Sequence, residues 1–401
     1  MYVRKSVRQR FNPDQRMLEL MESFRQMTNT CIRIGLENDA SSLKRLSLLS
    51  YKQLRNFEIP AAYKLCAISK AAGILAARKK SLKRGHRTRN PYLSKRLLAT
   101  CYGFKLVDQK LLIPIRRGET ATIPLNPHTV EVLAEPNVTV RSFTLTPESI
   151  SLSIRKDVEP MAEIAGWVGV DRNLNNLTVG DTEEVTYYDM SKTARVAETT
   201  RWIIRSFRRN DTRIRTALTG KYGERRKNRV RQLIHKVSKR IVEEALKNRR
   251  GIVFEEIRDI RSLYRKGNWQ GCGYRARMND WPFHEAKRQV EYKAAWVGVP
   301  VITLSRAETR GTSRLCPRCG ERLQSGRELS RKLWCRRCRE LFDRDLVAVL
   351  NISRRGRLRF ERSKGVGNEA MVQEPDAGKE MPKVILKVDP TKLTHRHGPT
   401  S

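Results

Sequence analysis

Long apolar runs are missing from this sequence, and their absence excludes an integral membrane protein. No stretch approaches the roughly 20 consecutive apolar residues that a membrane-spanning helix needs. The first ten residues, MYVRKSVRQR, contain no apolar core of the kind found in a signal peptide. Repeats of solenoid type are also absent, and the six histidines form no cluster along the chain. We therefore expect a cytoplasmic protein without a membrane partner.

Acidic residues are few relative to basic ones. The chain has 82 Lys and Arg residues against 42 Asp and Glu residues, so its formal net charge is +40. Such a field attracts a polyanion, and its spread along the whole chain indicates a long nucleic-acid path, which favours association with the nucleoid. A ribosomal-type protein, or one with a simply basic surface, is the alternative that composition leaves open.

The first 160 residues show two patterns. Apolar residues recur at helical spacing in three segments, at about 14–37, 41–54 and 61–80. After residue 102 the pattern alternates with a period of two in five short runs, which are KLVDQKLLIPI, ATIPLN, TVEVLAE, VTVRSFTLT and SISLSIRK. Five such strands, together with the strand-like first ten residues, favour a small antiparallel barrel or sandwich interrupted by a helical insertion.

Clusters of basic and aromatic residues supply the candidate nucleic-acid contacts. The densest cluster, RKKSLKRGHRTRN, follows the third helical segment and is either a solvated loop or an edge that contacts phosphates. Two arginines further along the chain are candidates for contact with the phosphate backbone. Two aromatic residues that lie near basic ones are added because aromatic rings stack on unpaired bases. The candidates are Arg78, Lys79, Lys80, Lys83, Arg84, Arg87, Arg208, Arg209, Tyr264 and Trp269.

The pattern changes again near residue 161. Three strand-like segments, VGVDRN, NNLTVGD and VTYYDM, precede a long basic helical region at about 194–248, which we expect to break near Gly220 to Gly223. The strand GIVFEEI, a helix at about 281–297 and the strand VPVITLS come next. This order predicts an RNase H-like α/β domain within an α+β multidomain chain. The polar residues after about 354 predict a largely disordered tail.

Three carboxylates stand at the ends of apolar segments in this second half. Asp171 ends the run VGV, Glu255 ends the run IVF, and Asp345 opens the helical segment DLVAVLNI. A buried acid is costly unless something binds it, and hard divalent cations take oxygen ligands. The three acids therefore predict a site that holds two Mg²⁺ ions and cleaves phosphodiesters. The neighbouring acids that remain as local alternatives are Glu256, Asp259 and Asp343.

Four of the eight cysteines form two pairs, each with two residues between its members. The pairs are Cys316 with Cys319 and Cys335 with Cys338, and 15 residues separate them. This spacing predicts a zinc ribbon with one structural Zn²⁺, because four thiolates leave no position open for water. Two disulfides are the alternative, which a reducing compartment disfavours. The cysteines expected to be reduced core residues are Cys31, Cys66, Cys101 and Cys272.

The chain resembles the TnpB (OrfB) proteins of IS200/IS605-type transposons, which are relatives of the compact type V CRISPR effector nucleases. The segments that carry the resemblance, in order, are GVDRNLNNLTV, HKVSKRIVEEALKNRRGIVFEEI, WPFHEAKRQVEYKAAWVGVPVITLS, GTSRLCPRCG, WCRRC and DRDLVAVLNI. Two stretches depart from the family pattern. Arg172 and Asn173 follow Asp171 where many relatives have Leu-Gly, and Val347 stands where many have Asn. Neither change removes a carboxylate.

The resemblance implies a domain layout. A β-barrel wedge domain is expected at 1–15 and 100–160, with a helical recognition lobe at 16–99. A RuvC-like nuclease domain follows at 161–310 and 343–358, with the zinc ribbon inserted at 311–342 and the tail at 359–401.

The resemblance also implies an activity, namely RNA-guided cleavage of double-stranded DNA beside a short flanking motif. Asp171, Glu255 and Asp345 would be the catalytic ligands of two Mg²⁺ ions, and the guide RNA would derive from the transposon end. We expect a monomer. A non-cleaving RNA-guided repressor, or a transposition accessory protein, is the alternative. A strand transferase would need a nucleophilic Tyr with a His pair, and a plain zinc-ribbon transcription factor would leave the acids without a role.

Overall fold

The computed structural model describes residues 1–116, 118–207, 212–257, 269–326, 331–363 and 381–393. The chain divides into two compact units, Met1–Val158 and Glu159–Ser401, and each has its own buried core. Within the described ranges, no helix is both long enough and apolar enough to cross a membrane.

The strands of the first unit form two antiparallel sheets. The strands are β1 (Tyr2–Arg10), β2 (Leu98–Thr100), β3 (Lys105–Val107), β4 (Lys110–Arg116), β5 (Glu119–Pro124), β6 (Val138–Thr146) and β7 (Ser149–Asp157). One sheet has the order β1-β7-β6-β2 and the other the order β3-β4-β5. The buried side chain of Gln9 links them, because it donates to the Pro124 carbonyl and accepts from the Asn126 amide. Strand pairing thus gives two sheets, and the predicted β-barrel stays a prediction.

Three helices lie between β1 and β2. They are α1 (Gln15–Glu37), α2 (Leu43–Ser50) and α3 (Ala61–Lys83), with a 3₁₀ turn at Tyr51–Leu54. Asp14 caps α1 by accepting a hydrogen bond from the Met17 amide at 2.9 Å. The apolar positions that recur at helical spacing in α1, among them Met21 and Phe24, are fully buried.

One predicted strand of this unit was wrong. The segment TVEVLAE belongs to the helix α4 (Pro127–Ala134). Asn126 caps this helix by accepting a hydrogen bond from the Thr129 amide at 2.8 Å, and Pro127 occupies its first turn, where no amide donor is needed. The capping signal upstream therefore outweighed the alternation within the segment.

A six-stranded mixed sheet forms the centre of the second unit. Its strands are β8 (Gly166–Arg172), β9 (Asn176–Gly180), β10 (Glu184–Asp189), β11 (Arg250–Glu255), β12 (Val301–Leu304) and β15 (Val384–Val388); β13 (Lys332–Cys335) and β14 (Glu340–Asp343) form a separate hairpin. The order is β12-β11-β8-β9-β10-β15. β9 is antiparallel to β8 and β10, whereas β11 is parallel to β8 and β12. Without β15, this is the RNase H-like strand order.

The helices of the second unit cover both faces of this sheet. They are α5 (Ser191–Ser206), α6 (Thr212–Lys247), α7 (Cys272–Asp280), α8 (Phe283–Trp296) and α9 (Arg344–Ser363). The predicted break near Gly220 to Gly223 was wrong, because α6 continues through both glycines. Glycine in a helix interior costs only about 1 kcal/mol relative to Ala, which a 36-residue helix packed along its second half can absorb.

Alternation along β8 and β11 decides which residues face which helices. Val170 and Phe254 pack in one core with Ile241 of α6 and Val290 of α8. Trp167 and Val253, at odd positions, pack instead with Ile352 of α9. Because successive strand residues point to opposite faces, odd-numbered residues of both strands face α9 and even-numbered residues face α6 and α8.

Two glycines allow α9 to lie unusually close to the sheet. A Cβ on Gly169 of β8 would collide with the carbonyl of Val349, and a Cβ on Gly356 of α9 would collide with the side chain of Val253. The Ser353 hydroxyl also donates to the Trp167 carbonyl at 2.6 Å. These contacts hold α9 against β8 and β11, so that its first turn lies near the ends of both strands.

The predicted disorder of the tail was wrong in two places. α9 continues to Ser363, and residues 381–393 include β15, which pairs in parallel with β10 along five residues. Met381 packs beside the apolar residues of α9, and Leu393 packs against the main core. The apolar run VILKV is short and flanked by polar residues, so the composition of this region indicated disorder. The strand forms because it pairs with β10, which lies 200 residues earlier in the sequence.

Candidate active site

Three acids meet at one edge of the sheet, on the face covered by α9. Asp171 is on the α9 face of β8, like Gly169, and Glu255 is on the same face of the neighbouring strand β11, like Val253. Asp345 lies in the first turn of α9. The parallel pairing of β8 with β11 and the close approach of α9 therefore bring together the three residues singled out from the sequence.

Each of two carboxylates is oriented by an asparagine that the sequence reasoning did not identify. Asn173 donates to Asp171 Oδ2 at 2.7 Å, and Asn176, at the start of β9, donates to Asp345 Oδ2 at 3.0 Å. The guanidinium of Arg331, from the cysteine-rich insert, pairs with Asp345 Oδ1. The asparagine-rich segment after the first acid was visible in the sequence, but the contact of Asn176 with Asp345 joins residues 169 positions apart and has no local signal.

Burial and like charge act together on Asp171. Its side chain is almost completely buried, and this burial, with the negative charges of Glu255 and Asp345, raises its pKa to about 7. The Asn173 hydrogen bond and the charge of Arg172 act in the opposite direction. Burial also raises the pKa of Glu255, partly offset by Arg172. Clustered acids of this kind are unfavourable unless cations compensate them.

The acids offer the donors that a hard divalent cation requires. Three carboxylates supply oxygen ligands of the type that Mg²⁺ prefers, and their mutual repulsion would be relieved by positive charge. In the part of the chain that the structure describes, however, only the four cysteines bring three or more ligand atoms within 4.8 Å of one another. The carboxylates are more widely spaced, and those of Asp171 and Asp345 are held by their own partners.

The structure describes two of the three neighbouring acids that the sequence left as alternatives. Asp343 caps α9, because its Oδ1 accepts hydrogen bonds from the amides of Asp345 and Leu346 at 2.8 and 3.3 Å. Glu256 follows Glu255, and its amide extends the pairing with β12 through the Leu304 carbonyl. Asp259 lies outside the described residues.

The two cysteine pairs come together in a compact insert. Their four sulfurs lie within 4.8 Å of one another, with Cys316 and Cys335 buried. The hairpin β13-β14 carries the second pair at its turn, and Leu333 and Phe342 complete a small core around the sulfurs. Such a set of four thiolates fits a tetrahedral metal such as Zn²⁺. Of the scattered cysteines, Cys31 and Cys66 are buried as predicted, but Cys101 and Cys272 are exposed.

The insert is anchored to α9. The buried side chain of Asn351 donates to the carbonyls of Thr312 and Leu315 at 2.8 and 2.9 Å. The same helix carries Asp345 at its first turn, and Val347 packs with the ribbon core. The cysteine-rich insert and the third acid therefore share one helix.

The candidate nucleic-acid contacts are dispersed. Lys80, Lys83, Arg84 and Arg87 are exposed at the end of α3 and in the loop that follows. Arg78 is partly buried and donates to Asn90, and the exposed Lys79 pairs with Asp39 at 3.4 Å. Trp269 is fully exposed, with a left-handed backbone (φ 56°). The candidates Arg208, Arg209 and Tyr264 lie outside the described residues.

The RNase H-like sheet carries acids on two adjacent strands, and a cysteine-rich insert precedes the third acid; this arrangement is similar to that of RuvC-like effectors. Residues 283–352 match the family model for the Cas12f1-like TNB domain. A solved Cas12f1 complex with guide RNA and target DNA has the same fold, with a TM-score of 0.57 and 13% identity over 85% of this chain and 83% of that one.

Curated relatives of this chain include two TnpB-like proteins. A TnpB-like protein of Methanocaldococcus jannaschii is 29% identical over 249 residues, which cover 60% of this chain and 84% of the relative. A Streptomyces pristinaespiralis protein, whose name proposes an RNA-guided DNA endonuclease, is 26% identical over 55% of this chain and 52% of its own length. Together these matches support a TnpB-family protein related to the compact type V effectors, as the sequence motifs indicated.

Proposed function

We propose that this chain is a transposon-encoded RNA-guided DNA endonuclease that cuts double-stranded DNA beside a short flanking motif. The observation that carries the proposal is the meeting of Asp171, Glu255 and Asp345 at one sheet edge. A protein that only binds DNA would have no use for a buried group of acids, which repel each other. The relatives named above support an RNA guide.

The three acids would hold two Mg²⁺ ions, which supply an activated water and stabilise the leaving 3′ oxygen. The other residues of the site prepare the acids for this role. Asn173 and Asn176 restrict the rotation of Asp171 and Asp345, and the close packing of α9 fixes the distance of Asp345 from β8. Orientation of this kind lowers the entropy that must be lost when the site assembles around its substrate.

The cysteine-rich insert would bind one structural Zn²⁺ through Cys316, Cys319, Cys335 and Cys338. All four positions are occupied by thiolates, so the ion would hold the hairpin β13-β14 to the first pair without taking part in hydrolysis. The insert also delivers Arg331 to Asp345, so its folding and the arrangement of the acids are coupled.

The net charge of +40 fits an RNA-guided mechanism, in which base pairing reads the sequence and the protein holds phosphates. We assign phosphate contacts to the exposed lysines and arginines at the end of α3 and base stacking to Trp269. The guide RNA would come from the transposon end, and the target would be double-stranded DNA.

The experiment is a cleavage assay on the full-length protein purified with co-expressed RNA from its transposon end. The substrate is a plasmid library with a matching target beside randomised flanks, in Mg²⁺. Asp171→Asn, Glu255→Gln and Asp345→Asn should each abolish the linear product. Asp181→Asn is the matched control, because Asp181 is also largely shielded from solvent, with 13% of its side chain exposed, but lies in the turn after β9, where it pairs with Arg250 at 2.7 Å.

The outcomes separate the two candidate activities. Guide-dependent linear DNA from the wild type and from Asp181→Asn, but not from the three acid variants, is the expected result. Target binding without cleavage by the wild type would instead favour a repressor. Absence of bound RNA would contradict both activities.

A further inference from the structure

Arg172 is a buried arginine beside the acids, yet it faces the other side of the sheet. Asp171 is on the α9 face of β8, and Arg172, the next residue, is on the face covered by α6 and α8. Only 5% of Arg172 is exposed. A buried guanidinium is expensive unless its donors are satisfied, so its partners indicate what it holds in place.

The partners of Arg172 belong to two other elements. Its Nη2 donates to the main-chain carbonyl of Glu255 at 2.5 Å, and its Nη1 donates to the carbonyl of Phe283 at 3.1 Å. The guanidinium carbon lies 5.4 Å from the centre of the Phe254 ring. One side chain therefore joins the end of β8, the end of β11 and the first residue of α8.

These contacts fall at the place where β11 stops. Glu255 is the last residue of the strand, and beyond it the amide of Glu256 makes one more bond, to Leu304 of β12. On the β8 side, Arg172 binds the carbonyl of the Glu255 peptide itself. The orientation of that peptide determines where the Glu255 side chain begins.

We propose that Arg172 is a positioning residue for the second acid: by holding the Glu255 carbonyl and the start of α8, it fixes the Glu255 carboxylate for metal binding. This inference rests on the proposed nuclease function and adds a residue to it. A planar guanidinium can bind two carbonyls at once in fixed directions, which neither an ammonium nor an apolar side chain can do. Arg172 itself touches neither metal nor substrate.

The test compares Arg172→Met and Arg172→Lys in the full-length protein. Mn²⁺ binding to the RNA-free protein is measured by electron paramagnetic resonance, and single-turnover DNA cleavage is measured in the RNA complex. Amide hydrogen exchange of residues 251–257 reports the order of the strand end. Supporting interactions around metal ligands typically contribute roughly 10- to 100-fold to affinity or activity, and we expect a loss of that size for Arg172→Met.

Arg250→Met is the matched control. Arg250 begins the same strand β11 and is also mostly buried, but its ion pairs are with Asp181 and Glu183 at the opposite end of the sheet. Both Met variants should lower the thermal unfolding midpoint. Only Arg172→Met should weaken Mn²⁺ binding, slow cleavage and speed exchange at 253–257, and Arg172→Lys should restore part of the Mn²⁺ affinity.

The possible results decide the inference separately from the proposed function. Equal effects of the two Met variants on Mn²⁺ binding and exchange would overturn the inference and leave Arg172 a general stabiliser. If the wild type binds Mn²⁺ but never cleaves DNA, the nuclease function fails, while a selective loss of Mn²⁺ binding in Arg172→Met still supports positioning. A wild type that binds no Mn²⁺ would overturn both.

Discussion

The guanidinium of Arg331, on the cysteine-rich insert, pairs with the carboxylate of Asp345 in the first turn of α9. Asp345 is buried, with 7% of its side chain exposed, whereas 57% of the Arg331 side chain is exposed. The arginine can therefore swing into solvent while the acid stays in place. A cation that approaches the acids competes with this guanidinium for Asp345.

Removal of Arg331 should consequently tighten metal binding. Because partly exposed ion pairs contribute up to about 1 kcal/mol, Arg331→Ala should lower the Mn²⁺ dissociation constant by about two- to fivefold. Arg318→Ala is the control, since Arg318 is on the same insert but pairs with Glu340 at 2.8 Å. Calorimetric titration of both variants checks the prediction, and equal affinities would contradict it.

The close contact between β8 and α9 makes Gly169 a sensitive position. Gly169→Ala would push the new methyl group into the Val349 carbonyl, displacing the helix that carries Asp345. We expect a loss of about 1–3 kcal/mol in the free energy of unfolding, with slower cleavage. Gly220→Ala in α6 meets no neighbouring atom and should stabilise the protein by about 0.5–1 kcal/mol. Urea denaturation gives the free energy of unfolding of both variants. Similar changes in the two would argue against the close packing of α9 on β8.

Loss of one thiolate should release the metal of the insert. Cys335→Ser removes a fully buried ligand, so the purified variant should contain much less than one Zn²⁺ per chain and should lose the ordered ribbon. Cys272→Ser, at an exposed free thiol, should keep one Zn²⁺ per chain. Elemental analysis of both proteins makes the comparison. One zinc per chain in Cys335→Ser would mean that the ion is bound elsewhere.

The segment 381–393 should stabilise the second unit. Deletion of residues 381–401 removes β15 and the packing of the partly buried Met381 and Leu393, and each contributes less than the roughly 1.5–3 kcal/mol of a fully buried side chain. The thermal unfolding midpoint should therefore fall by several degrees. Leu386→Thr, at a 43% exposed position of the same strand, should have little effect. An unchanged midpoint for the deletion would show that this strand adds nothing to stability.

Lys293 should make stability depend on pH. Its ammonium lies between α8 and α6, where it donates to the His235 carbonyl and the Ser238 hydroxyl, each at 2.6 Å. Burial lowers its pKa from 10.5 to about 7. Between these values the unfolded chain binds a proton that the folded chain releases, so the free energy of unfolding should rise with pH in that window.

The measurement is urea denaturation of the wild type and of Lys293→Met at about pH 7 and about pH 9. The depressed pKa of Lys293 predicts an increase in the free energy of unfolding of the wild type that the variant lacks. The difference in free energy of unfolding between the two proteins should move in favour of the wild type as the pH rises. A difference that stays constant would mean that Lys293 titrates alike in the folded and unfolded chains.

Local patterns in the sequence were sufficient for part of this structure. An apolar run that ends in an acid identified β8 and β11. The spacing within each cysteine pair indicated one cluster of four thiolates. Both signals are local, because each involves only a few neighbouring residues. The helix α4 was missed although its Asn-Pro start was present, since the alternation of TVEVLAE imitates a strand. A short segment can fit both the helical and the strand periodicity, and the capping residues that flank it then decide which structure forms.

The sequence by itself determined which residues are the candidates for the chemistry: three acids, four cysteines and an excess of positive charge spread along the chain. Only the tertiary structure decided which groups surround the acids. Asn176 reaches Asp345 across 169 residues, and Arg172 reaches Glu255 across 83. Such pairs depend on strand order, on the alternation of faces and on how closely α9 can approach Gly169. Those relations arise when distant segments pack, so no local pattern contains them.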